Sequence, residues 1–245
     1  LDELPELCLD YSGNTIIQKL YDNCSPIIVD LMLRESHKYL TSMGIHKNGT
    51  WVSQKIIKVV KTPRQMDFIT KGIQDYCTAL FNDQYGNYVI QGVLTFGFPW
   101  NSFIFENIMS NFWVIVDNKF GVRAVRACLE ANGHMSKEQE LLLCSMIILY
   151  SEYLSTSNTG TLLVTWYLDS CTFEEKYAMI ISSLIPHIVE LCSHRLGSLT
   201  VLKLLNLRID QCVKDSILTA IFGDLNDNKP SENLIEILKD NHNGG

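Results

Sequence analysis

DQYGNYVIQ, Asp83 to Gln91, joins a short polar loop to the start of a helix. The chain turns at Gly86, and Asn87, Tyr88 and Gln91 then occupy positions i, i+1 and i+4 of the first turn. Those positions share one helical face, an arc of about 100°. The spacing predicts an amide, a flat aromatic ring and a second amide projecting side by side from an exposed turn. An edge-reading pair beside a stacking plate suits one unstacked nucleobase. A single copy carries little weight, because Asn and Tyr also open ordinary helices.

The stretch recurs. HKNGTWVSQ (His46 to Gln54) and DYSGNTIIQ (Asp10 to Gln18) keep the glycine and a Gln five residues after it. Looser copies follow as NKFGVRAVR (Asn118 to Arg126), SNTGTLLVT (Ser157 to Thr165) and HRLGSLTVL (His194 to Leu202). The glycines stand at Gly13, Gly49, Gly86, Gly121, Gly160 and Gly197, in steps of 36, 37, 35, 39 and 37. A steady period in this range signals stacked supersecondary units, each too small to bury its own apolar face. Neither the ankyrin TPLH signature nor the tetratricopeptide W-x2-L-G pattern is present.

Between the glycines the apolar residues fall at helical spacing, and no segment alternates as a strand. The first unit runs from Asn14 to about Asp22, then restarts at Pro26 through Ile28, Leu31, Met32, Tyr39 and Leu40. The second repeats this layout, with Thr62-Pro63 as cap and first-turn proline. The third breaks at Gly97-Phe98-Pro99 before a further helix to about Val116. The expected fold is an all-α, right-handed solenoid of about six repeats forming a crescent. It is read as one domain over residues 1–245, with a capping helix after about residue 224. The turn Asn226 to Pro230 precedes that helix, and Asp240 to Gly244 could open a further unit.

Composition narrows the function. Apolar residues make up 47% of the 245-residue chain, enough to fill a stacked core. The net charge of −7 argues against a generic polyanion binder. Charge is unevenly spread: residues 14–71 hold nine Lys/Arg against four Asp/Glu, and residues 133–245 hold eight against fourteen. The basic stretch coincides with the best-formed motifs. Eight scattered cysteines without a CxxC pair are expected to be core thiols in a reducing compartment. No signal-peptide pattern or membrane-length apolar run appears. The first residue is Leu1, so the segment is expected to belong to a longer chain. The six histidines form no metal-binding spacing, and no phosphate loop or activated nucleophile is evident, so neither an enzyme nor a metal or cofactor site is expected.

Two regions keep alternatives open. The cluster Phe96, Phe98, Trp100, Phe103 and Phe105 either packs between repeats or forms a docking loop. The last three motifs lose the amides: Val122 and Arg126 replace them in the fourth, Thr161, Leu162 and Thr165 stand in the fifth, and Ser198, Leu199 and Leu202 in the sixth. They serve as framework or contact protein regulators.

The motifs NTIIQ, TWVSQ and NYVIQ make the chain resemble the PUF (Pumilio-homology) RNA-binding family over nearly its whole length. Six units with a degraded second half are most similar to a divergent fungal subfamily that also carries an RNA recognition motif, a domain not found in this segment. The resemblance implies that the first and fifth motif residues read the base edge and the second stacks. Asn14 with Gln18 and Asn87 with Gln91 would then take uracil, and Thr50 with Gln54 adenine. Thr50 departs from the commonest adenine reader. The stackers would be Thr15, Trp51, Tyr88 and Arg123. Lys19, Lys55 and Arg126 would reach phosphate or remain solvated. With RNA antiparallel to the repeats the code spells 5′-U-A-U-3′. The subfamily favours UAAU, which requires one more adenine accommodated without a complete reader, near Arg123. A four-base word recurs about once per 256 nucleotides, so tandem elements, two protein copies or a further domain would be needed. The implied role is cytoplasmic, post-transcriptional control through mRNA 3′-UTR elements. A HEAT- or armadillo-like scaffold for protein partners is the competing reading. It does not require Gln at the fifth motif position three times running.

Overall fold

A computed structural model describes residues 3–131, 133–208, 211–224 and 229–240. Among the described residues every regular element is helical. Contacts divide the chain into two units, Leu1–Leu141 and Leu142–Gly245. No helix among the described residues is long and apolar enough to cross a membrane.

The first unit holds four motif helices, Gly13–Asn23, Gly49–Val59, Gly86–Leu94 and Lys119–Glu130, each packed against the next. Pro26–Ser36 lies against Pro63–Ile73 in the same way. Short helices, Leu40–Gly44, Cys77–Asn82 and Phe112–Val116, deliver the chain to each following motif. The repeat is therefore three helices. The second unit continues the pattern with the motif helices Thr161–Ser170 and Arg195–Asn206, preceded by Ser151–Thr156 and Ile188–Ser193. Lys137–Leu149 carries the chain across the boundary.

Local chemistry explains the helix limits. Pro26 and Pro63 occupy first-turn positions, where a missing N–H costs nothing. Thr62 and Gln65 form a reciprocal capping box. The C-terminal helix Glu232–Lys239 starts at Ser231, whose Oγ accepts from Leu234 N at 3.0 Å and donates to the Ile221 carbonyl at 2.5 Å. A helix thus occupies part of the stretch after residue 224. Asn226 to Asn228 and Asn241 to Gly244 lie outside the described residues.

The interior is aliphatic. Leu33, Ile56, Ile69, Ile73, Leu80 and Ile90 are completely buried, each contributing about 1.5–3 kcal/mol relative to exposure. Cys8, Cys77 and Cys128 are buried free thiols, and Cys144 and Cys171 are buried with their Sγ atoms 4.0 Å apart. Burial pushes Cys8 up to about 11 and Cys128 to about 12, leaving them inert small hydrophobes. The aromatic cluster splits: Phe105 is core, Trp100 donates its indole N–H to Asp67 at 2.9 Å, and Phe98 is exposed.

One device recurs at every motif. The side chain three residues before the glycine accepts hydrogen bonds from the glycine N–H and from the N–H before it. Asp10 takes Ser12 and Gly13, His46 takes Asn48 and Gly49, and Asp83 takes Tyr85 and Gly86. Asn118 takes Phe120 and Gly121, Ser157 takes Thr159 and Gly160, and His194 takes Leu196 and Gly197. These are orphan donors of a helix start, satisfied by a local acceptor. The glycine itself answers a close approach. A Cβ would lie 2.6 Å from the Met43 carbonyl oxygen at Gly49, 2.8 Å from that of Leu80 at Gly86, and 2.6 Å from that of Leu191 at Gly197.

Gly86→Ala is expected to destabilise the fold by about 1–3 kcal/mol, since its methyl meets backbone that cannot step aside. Gly92→Ala meets only the Ile57 side chain, at 3.2 Å, and should cost less. Urea unfolding of the two variants checks the order. The Asp10 carboxylate is held below the usual carboxylate range by the N–H groups of Gly13 and Ser12. A depressed folded value means its stabilisation is present above the ordinary Asp pKa of about 3.9 and disappears as pH falls through the folded value. Asp10→Asn keeps an acceptor but no longer titrates. The variant should lose less stability than the parent on acidification, and an NMR titration should place Asp10 below ordinary Asp.

Candidate nucleic-acid interface

The caps fix where each motif helix begins, and so which residues of its first turn face solvent. All four second-position residues of the first unit are exposed: Thr15, Trp51, Tyr88 and Arg123. Trp51 is 60% and Tyr88 53% exposed. Neither is a packing residue between repeats. Large aromatic faces left in water beside polar groups are what a stacking surface offers.

The first-position residues differ from the picture that helical spacing alone suggests. Asn14, Thr50 and Asn87 are buried, at 7%, 3% and 5% exposure. The Asn14 amide donates to the carbonyls of Asp10 and Tyr11 at 2.9 and 2.6 Å. That of Asn87 donates to Asp83 and Gln84 at 2.9 and 3.1 Å. Both N–H groups of each amide are thus spent on closing the preceding loop. The expected open fork of two exposed amides is corrected: the first amide is buried, because the loop carbonyls compete successfully for it, and the glutamine amide alone stays half-exposed.

The fifth-position glutamines are half-buried and held alike three times. Gln18 Nε2 donates to Asn14 Oδ1 at 3.1 Å, Gln54 Nε2 to Thr50 Oγ1 at 3.0 Å, and Gln91 Nε2 to Asn87 Oδ1 at 3.0 Å. One N–H is committed to orientation. The carbonyl oxygen and the second N–H remain to meet a ligand edge. The Thr50 hydroxyl also reaches the Tyr85 carbonyl at 3.4 Å, tying the second motif to the third.

The candidate cations divide. Lys19 is exposed. Lys55 binds both carboxylate oxygens of Asp22, at 3.0 and 2.8 Å, which makes it a tie between the first two repeats. Arg126 pairs with Glu130 one turn on, at 2.7 Å. In the fourth motif Val122 is core, Arg123 faces solvent and Arg126 is held by Glu130, so the paired amides are not repeated there. The fifth and sixth motifs keep caps without amides, and the sixth exposes Leu199 and Leu202. Sequence spacing alone missed Tyr11, which is exposed in the first motif loop, and Asn48, which donates to the Leu9 carbonyl at 2.9 Å. Among the described residues, Glu152, His187 and Glu190 bring three ligand atoms within 4.8 Å, a surface grouping that linear spacing did not reveal.

Residues 4–37, 40–73, 82–100 and 187–207 match the Pumilio-family RNA binding repeat (PUF). The chain is 59% identical over 226 residues to the mRNA-binding protein PUF2 of Saccharomyces cerevisiae, covering 91% of this chain and 21% of that protein. It is 55% identical over 246 residues to Protein JSN1 of the same yeast, covering 100% of this chain and 22% of the relative. The chain thus spans about a fifth of the length of these two relatives. The PUM-HD domain of Schizosaccharomyces pombe Puf1, crystallised in complex with RNA, superposes with a TM-score of 0.86 at 40% identity, covering 99% of this chain and 64% of that one. The repeated caps, the glutamines held three times over and these matches together establish that the chain belongs to the Pumilio (PUF) repeat family.

Proposed function

We propose that this chain binds single-stranded RNA in a sequence-specific way, through the solvent face of its first three motif helices. The observation that carries the proposal is the threefold repetition of a glutamine held at about the same length beside an exposed second-position side chain. A protein-binding scaffold has no need of that repetition. Relatives with similar repeats are RNA binders by name, and the Puf1 domain was crystallised on RNA.

The chemistry is that of base-edge pairing. A glutamine carbonyl and one N–H match a uracil edge (N3–H and a carbonyl) and an adenine edge (an amino group and a ring nitrogen) equally well. The first-position residue must therefore discriminate. Asn14 and Asn87 are larger than threonine and fill more of the space beside the glutamine, which suits the single ring of uracil. Thr50 is smaller and leaves room for a two-ring purine. Read antiparallel, this gives uracil on Asn87/Gln91, adenine on Thr50/Gln54 and uracil on Asn14/Gln18, within a UAAU-type element. The second adenine has no reader of its own among these three motifs. Trp51 and Tyr88 supply the stacking planes. Recognition by edges and stacking, with few free cations, suits a chain of net charge −7. A word this short calls for tandem sites, filled by two copies of the protein or by another domain of a longer chain. The role that follows is cytoplasmic, post-transcriptional control of mRNAs carrying such elements in their 3′-UTRs, with protein regulators meeting the later repeats.

Trp51→Ala and Tyr88→Ala are each expected to weaken binding of a UAAU RNA by about 1–3 kcal/mol, roughly five- to 150-fold. Melting temperatures should stay unchanged, because both rings are more than half exposed. Fluorescence anisotropy with a scrambled-RNA control and a thermal melt measure the two effects. Asn87→Ser combined with Gln91→Glu should move the preference at that position from uracil toward guanine, which presents donors where uracil presents acceptors. Selection from a pool randomised at that base reads the change, and an unaltered preference for uracil sinks the assignment.

A further inference from the structure

We propose that Tyr11 is a further RNA-contact residue, closing with Trp51 a slot for the base read by Asn14 and Gln18; this rests on the RNA-binding reading above. The first repeat has a gap in its chemistry. Its second motif position is Thr15, which has no flat face to lay against a base, whereas the next two repeats offer Trp51 and Tyr88. The missing ring stands four residues earlier. Tyr11, in the loop before Gly13, is 82% exposed, more than any other large apolar side chain among the described residues. The same loop position holds Lys47 in the second repeat and Gln84 in the third. Among the first three repeats, this loop position is aromatic only where the second motif position is not.

The ring lines a real cavity. A volume of about 430 Å³ is bounded by Tyr11, Asn14, Thr15, Asn48 and Trp51, with both aromatic residues and the Asn14 that holds Gln18 in its wall. This lies within the range of about 300–1,000 Å³ that small-ligand sites occupy. Its walls are held before any ligand arrives. Asn14 donates to the Tyr11 carbonyl at 2.6 Å, and the Asp10 carboxylate caps Ser12 and Gly13 immediately after it. Asn48, one residue before Gly49 in the Trp51 motif, donates to the Leu9 carbonyl at 2.9 Å and so ties the second loop to the first. Little backbone freedom is left to lose when a base enters. A tyrosine adds a rigid plate at the cost of two side-chain torsions.

The test uses the 245-residue chain and two RNAs, one carrying 5′-UAAU-3′ and one identical but abasic at the final uridine. Tyr11→Ala should weaken binding of the intact RNA about tenfold, within the range of base–aromatic stacking. On the abasic RNA it should bind as the parent does, and Tyr11→Phe should keep parental affinity for both. Equal losses on the two RNAs would make Tyr11 a structural residue and overturn the proposal. Undiminished binding of the intact RNA by Tyr11→Ala would overturn it too, while leaving the wider reading in place. If the parent chain fails to distinguish UAAU from a scrambled RNA, both fall together.

Discussion

A side-chain acceptor three residues before each motif glycine, and the carbonyl pressed against that glycine, are what the repeat depends on. The acceptor satisfies two N–H groups that a helix start would otherwise leave bare. The glycine lets that start sit against the end of the preceding short helix, where a methyl group would strike backbone oxygen. Together they set the rotation of the motif helix about its axis. That rotation puts the third, fourth and seventh residues after the glycine (Val89, Ile90 and Val93 in the third repeat) into the core and leaves the second in water. The exposed row Thr15, Trp51, Tyr88 and Arg123 is thus a consequence of backbone accounting before it is a binding surface.

The same economy links base reading to folding. Asn14 and Asn87 serve the loop with their N–H groups and the glutamine with their oxygen. A residue proposed to face a base is also one that holds the turn. Thr50 escapes this double duty, because its loop is tied from outside by Asn48 and its hydroxyl reaches forward to the third motif. The two kinds of first-position residue differ in the groups they present and in how the loop beneath them is secured.

The architecture was largely legible in the sequence, and the reason is that its determinants are local. The glycine period, the Thr62-Pro63 start and the break at Gly97 all act within a turn or two of themselves. The acceptor column of Asp10, His46, Asp83, Asn118, Ser157 and His194 was equally readable, since all six are Asx, Ser or His at one offset. What could not be read was how polar groups divide among competing partners. Asn87 on an exposed first turn is a fair expectation from helical spacing, yet two loop carbonyls lie closer than any ligand and bury it. Lys55 stands next to a reading glutamine in sequence, but Asp22, from the neighbouring repeat, claims it. The Tyr11 cavity takes its far wall from residues nearly forty positions away. The last two cases turn on contacts between repeats that no linear pattern encodes.

Comparing the six repeats with one another separates the demands of stacking from those of a ligand. The cap and the glycine persist in all six, including the sixth, whose motif helix offers only Ser198, Leu199 and Leu202 where the first three carry readers. If the glutamines were needed to stack repeats, the later units would have to keep them, and they do not. The glutamine with its oriented amide occurs where the chain is most basic, where the exposed aromatics stand, and where the loop cavity opens. A feature the fold can do without, retained three times in register at the one place suited to a polyanion bearing flat bases, is best explained by what binds there.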